Sequence, residues 1–226
     1  MRYFTSVILI GLLLFGFNEI QGQSKSKNES TFGLSILGGM NLSQIDGDNF
    51  KGYDNFGLYA GLRGSMKFSS TMQMRVELLY SQKGSKFEST KGANEGVKDR
   101  HIKLNYAEIP ILFAYRFNRE SAKTALWVEG GISIARLLKS DVKDSDSPTD
   151  KEFIYSDIED EFKPMDFSLV GGFGVDPLPF LGFGFRITWG MTKFYEYEGD
   201  VPPSGNTEFV VFLKNYALQV FALYHF

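Results

Sequence analysis

The chain has 226 residues, 43% hydrophobic and 15% aromatic, with 24 glycines, 22 phenylalanines, no cysteine and a formal charge of -3. That length suits one domain, and the lack of cysteine excludes a disulfide framework and a lipid-anchored amino terminus. The charge is uneven: Leu137 to Met165 carries four lysines against nine acids, so the acid is concentrated in one stretch, and no nucleic-acid partner is expected.

Met1 to Gly22 reads as a secretory signal, with Arg2 as the positive end and Val7 to Phe17 as the apolar run. That run is shorter than the roughly 20 residues a spanning helix needs. Residues 23–31 follow as a short tail. From Phe32 to Leu42, apolar Phe32, Leu34, Ile36, Met40 and Leu42 alternate with Ser35, Gly39 and Asn41, which is the period of a strand. Ser43 to Asn55 reads as a loop. Phe56 to Phe68 and Thr71 to Lys83 repeat the alternation around a Ser69–Ser70 turn, with Leu79 out of pattern. Gly84 to Arg100 reads as a second long loop. In His101 to Phe117 the apolar parity changes near Ala107, which predicts a bulge beside Pro110.

After a short turn, Leu126, Val128, Ile132 and Ile134 mark a fifth strand. Leu137 to Met165 is the longest predicted loop, followed by a strand over Asp166 to Val175 and a compact turn at Asp176 to Pro179. Phe180 to Phe194 alternates large apolar residues with Gly, Arg and Thr. Tyr195 to Glu208 reads as a fourth long loop, and Phe209 to Phe226 as the last strand, with parity slips before Tyr216. Its end places Tyr216, Leu218, Val220, Ala222, Tyr224 and Phe226 on one face, as the strand that closes a barrel.

These strands exceed the five or six residues usual in globular sheets and reach the roughly 9–11 that a tilted membrane strand needs. Long and short connections alternate, and aromatics gather at strand ends. Phe32, Phe68, Tyr115, Phe117, Phe180 and Phe226 form one predicted girdle, and Phe56, Tyr80, Phe167, Trp189 and Phe194 the other. The expected fold is all-β: an eight-stranded antiparallel up-and-down transmembrane β-barrel over residues 32–226.

At NYAEIPILFAYRF (105–117) and VEGGISIARL (128–137) the sequence resembles the PorT-like outer-membrane β-barrel family, as it does in FGLSILGGMNLS and SQKGSKF. The resemblance covers essentially all of 32–226. It implies an eight-stranded outer-membrane barrel with no assigned activity for most members.

The polar face holds Arg63, Arg75, Glu77, Glu108, Arg116, Glu129 and Arg186. In an eight-stranded barrel that face lines a lumen just wide enough to be filled, and charges there require partners. The expected role is structural, or in binding and assembly through the loops that open at Ser43, Gly84, Leu137 and Tyr195. Outer-membrane lipid, the barrel-assembly machinery and a protein at the loops are the expected partners. Two alternatives stand: a narrow gated pore for small solutes, and a soluble periplasmic barrel that turns its apolar face inward around a small apolar ligand. Catalysis is not expected. His101, near Ser81, Ser85 and Glu88, is the one histidine placed to act as a general base, and His225 lies at the opposite rim. The acidic run lacks the register of a calcium loop, so neither a metal nor a cofactor is expected.

Overall fold

A computed structural model describes residues 31–48, 53, 55–87, 100–117, 124–143, 155–197 and 212–226. The signal, the tail up to residue 30, Glu88 and residues 144–154 of the acidic run lie outside the described residues. The strands are β1 (Phe32–Asp46), β2 (Asn55–Lys67), β3 (Met72–Phe87), β4 (Arg100–Arg116), β5 (Ala125–Lys143), β6 (Met165–Leu178), β7 (Leu181–Gly190), the two-residue β8 (Tyr195–Glu196) and β9 (Phe212–His225). Consecutive strands from β1 through β7 pair antiparallel, and β9 pairs with both β7 and β1, so eight strands form a closed barrel. Closure runs from Ser35 opposite His225 to Asp46 opposite Lys214. Both edges that would otherwise stay unpaired are thereby consumed.

Alternation decides which side chains face out. Outward positions carry Leu34, Ile36, Leu58, Leu62, Val76, Leu78, Ile109, Phe113, Val128, Ile132, Leu169, Phe173, Ile187 and Val220, each largely exposed. An apolar wall of that extent belongs in hydrocarbon. The soluble alternative required the apolar face to point inward, and the structure places it outward. Every predicted girdle aromatic is exposed except Phe194, which is fully buried near the loop-bearing rim. Phe194 packs edge-on against Phe162, 5.2 Å between centroids, because the chain after β7 turns inward over the barrel mouth.

Several boundaries differ from the sequence reading. β1 runs on to Asp46 and β3 to Phe87, and β5 continues to Lys143 into the stretch read as a loop. Polar residues above the apolar band still form ladder bonds, because pairing there needs only a neighbouring strand. Gly84 lies inside β3 with φ of 152°, where a Cβ would stand 1.9 Å from the Ile102 carbonyl oxygen, so its glycine marks a kink and not a strand end. Asp176 is a strand residue, and the turn narrows to Pro179 and Phe180.

The expected bulge at Ala107 is absent from β4. Even-numbered residues from Ile102 to Ala114 all face inward, and the register shift beside Asn105 and Tyr106 comes from Leu138 of β5, the extra residue between Leu137 and Lys139. What changes along β4 is the outward face, polar at Lys103 and Asn105 near the loop rim and apolar from Ile109 to Tyr115 below, while Glu108 is the one charged residue among the inward positions from Ile102 to Ala114. Leu79 likewise obeys the inward parity; it is an apolar lumen residue packed with Leu37, Tyr59, Trp127, Phe221 and Leu223. The described part of the last strand, from Phe212, shows no parity slip.

The interior is layered. At the loop rim Ile45, Ile102, Leu104, Ala135, Phe194 and Leu213 pack under Ile158 and Phe162, which a 3-10 helix over Tyr155–Glu161 brings across the opening. That segment falls in the stretch whose sequence reads as the longest loop. Below this apolar cap lie the polar and charged layers.

Candidate functional site: the charged lumen

Arg186 of β7 is central. Its Nη1 and Nη2 donate to the two Glu77 carboxylate oxygens at 2.9 and 3.0 Å, and its Nε donates to Glu129 Oε1 at 2.9 Å. Nη1 also donates to the Tyr59 hydroxyl. Arg63 Nε reaches Glu77 Oε1 at 2.7 Å, and Arg75 Nη1 reaches Glu129 Oε2 at 2.6 Å. Arg63 Nη2 lies 3.7 Å from the same Glu129 oxygen. Three guanidinium groups and two carboxylates therefore form one cluster, with Arg63 and Arg186 each only 1% exposed.

The surplus positive charge faces aromatic rings. Arg75 Cζ stands 4.3 Å from the Trp127 ring centroid, Arg186 4.9 Å and Arg63 5.5 Å from that of Phe221. The rings fit because glycine sits opposite them: a Cβ on Gly184 would stand 2.4 Å from the Phe221 ring, and one on Gly174 2.2 Å from Trp127. The alternation of Gly with large residues in β6 and β7 is the sequence trace of that fit.

Of the seven predicted lumen charges, Arg63, Arg75, Glu77, Glu129 and Arg186 meet in this cluster. Glu108 does not join it and pairs with Lys83, whose Nζ lies 5.5 Å from the Tyr106 ring. Beside them Asn215 Nδ2 donates to the Tyr106 hydroxyl at 3.0 Å and to Asp166 Oδ2 at 3.1 Å. Arg116 lies at the terminal rim, 3.5 Å from Asp176. Lys83 and Asp166 are the end residues of their expected strands and Asp176 falls in the expected turn, so none of the three is among the predicted lumen charges; inward parity identifies Lys83 and Asp166.

At the terminal rim Ser35 Oγ is 2.8 Å from His225 Nδ1, His225 Nε2 is 3.5 Å from Asp176 Oδ1, and Trp127 Nε1 donates to the same oxygen at 3.0 Å. The residue types are those of a hydrolase, but the arrangement is a closed polar network. Ser35 is 3% exposed, and it sits in ladder register with both Arg63 and His225, where neighbouring amides belong to strand pairing and not to an oxyanion. His101 hydrogen-bonds Asn55 Oδ1 at 3.0 Å, while Ser81 and Ser85 are buried. Above the mouth, the hydrogen bond from Lys193 holds Glu196 of β8 below the usual carboxylate range.

Closed strands, an apolar outer wall and a packed polar interior define a small transmembrane β-barrel. A family model for the outer-membrane protein β-barrel domain matches residues 21–196, most of the chain, and the protein belongs to that family; it is an integral outer-membrane protein. The match ends before β9. Comparison with curated proteins gives no sequence match. Among solved structures it is similar to Ail, the attachment invasion locus protein of Yersinia pestis, at 14% identity over 87% of this chain and 100% of that chain, with a TM-score of 0.42. It is similar to Neisserial surface protein A at 13% over 87% and 98%, TM-score 0.45, and to OprG of Pseudomonas aeruginosa at 11% over 86% and 96%, TM-score 0.45. Likeness at this level bears on neither ligand nor partner.

Proposed function

We propose that this protein is a non-conducting, non-catalytic outer-membrane barrel whose work is done by the connections at its loop rim, as a structural or binding and assembly component. The observation that carries this is the Arg186 cluster, in which both carboxylates are engaged by more than one arginine across the lumen. A gated pore would need those pairs to part, leaving charges in a dry interior at about 3–5 kcal/mol for each broken pair. The resemblance to PorT-like barrels supports placing the chain among them, and residues 1–22 are proposed to be removed on export. Outer-membrane lipid, the assembly machinery and a protein bound at the loops are the partners this reading favours.

Planar bilayer recording on the refolded protein tests it. Baseline current without steps is the expected result, and reproducible single-channel steps that vanish in Arg186→Met would instead establish the pore.

A further inference from the structure

Just above the apolar band on one side of the barrel, the outward positions of β4 and β5 turn basic. Lys103, Arg136, Lys139 and Lys143 all lie there, against one acid, Asp141, which faces Lys103 in the ladder. Arg136, Lys139 and Lys143 are exposed, and among the described residues none of the four forms an ion pair. Exposed Lys86 and part-buried His101 face each other beside them. The band's upper limit is marked by the Tyr80 hydroxyl, which donates to Asn105 Oδ1 at 3.1 Å and accepts from Gln82 Nε2 at 3.0 Å. These cations therefore stand at headgroup height.

The same wall is hollow below them. A groove of about 420 Å³ runs over β6 between Leu169, Phe173, Phe185, Ile187 and Trp189. Its floor is Gly171, where an added Cβ would meet nothing within 4 Å. Arg136 pairs with Met165, four residues along β6 from Leu169, or about 13 Å at the rise of a strand. A leaflet's hydrocarbon layer is about 15 Å deep, so one lipid can place its phosphate on the basic patch and a chain in the groove.

We propose that this wall binds one phosphate-bearing lipid of the loop-side leaflet, with the headgroup held by Lys103, Arg136 and Lys139 and an acyl chain lying over Gly171 against Trp189. This rests on the membrane placement of the barrel but not on its lumen being closed, so steps in a bilayer recording would leave it untouched. Basic residues at a membrane surface attract anionic headgroups, and three of them give roughly a tenfold or greater preference over a zwitterionic lipid.

The chain has two tryptophans, and Trp127 is buried in the lumen while Trp189 lines the groove, so Trp189 fluorescence reports occupancy. The refolded barrel is placed in phosphatidylcholine vesicles containing a small fraction of brominated phosphatidic acid, or the same fraction of brominated phosphatidylcholine. Greater quenching by the phosphatidic acid is expected. It falls to the phosphatidylcholine level in the Lys103→Gln, Arg136→Gln, Lys139→Gln triple variant and in Gly171→Leu, with heat-modifiable migration confirming that both barrels are folded. Equal quenching by the two lipids overturns the proposal, as does an excess that survives the triple variant. Loss in the triple variant alone, with the excess kept in Gly171→Leu, overturns the chain groove.

Discussion

Arg186 is the residue on which the interior depends most, because it engages Glu77, Glu129 and Tyr59 at once. Replacing it with Met leaves two buried carboxylates with fewer partners, and we expect about 3–5 kcal/mol of destabilisation, read as an earlier urea midpoint in detergent or lipid. Arg186→Lys restores the charge but not the planar fork, so it recovers only part of that loss. Gly184→Ala is a size change of one methyl, yet it meets the Phe221 ring and should cost about 1–3 kcal/mol, with Phe221→Leu in the same chain relieving it. Inward parity made five of the cluster's charges legible in the sequence. Which of them meet was not legible, because partners come from β2, β3, β5 and β7 and depend on the shear of the closed sheet.

Among the elements, β9 and the 3-10 helix show opposite degrees of legibility. The closing role of Tyr216, Leu218, Val220, Tyr224 and Phe226 is read from simple alternation, and the structure gives β9 a partner on each side. A chain ending at Asn215 would lose nearly all of that pairing, so no heat-modifiable band should form from it. The cap was hidden, since Ile158 and Phe162 stand among acids in a stretch without strand period, and only packing against Phe194 and Leu213 reveals them. Phe162→Ala removes an edge-on contact at the mouth and should cost less than the roughly 3–5 kcal/mol of a deep core site. Limited proteolysis then cuts between Leu137 and Met165 sooner while the barrel band persists. The extension of β5 to Lys143 was also hidden: polar residues paired above the membrane have no apolar alternation to announce them.

For the whole molecule, the long-range order was the most legible level, because a membrane imposes period two, strand length and closure together. Less legible was the composition of the inside, which holds apolar and charged layers where a uniformly polar face was expected. Outward apolar and inward polar faces are the central claim, and the absence of cysteine permits a direct test. Single cysteines at Leu169 and Ile187, which face out, and at Ser168 and Thr188, which are small and face in, are spin-labelled in lipid vesicles. Collision with oxygen is expected to be high at the first pair and low at the second, giving a two-residue period along β6 and β7. A flat profile, or high oxygen access at Ser168 and Thr188, would contradict the account.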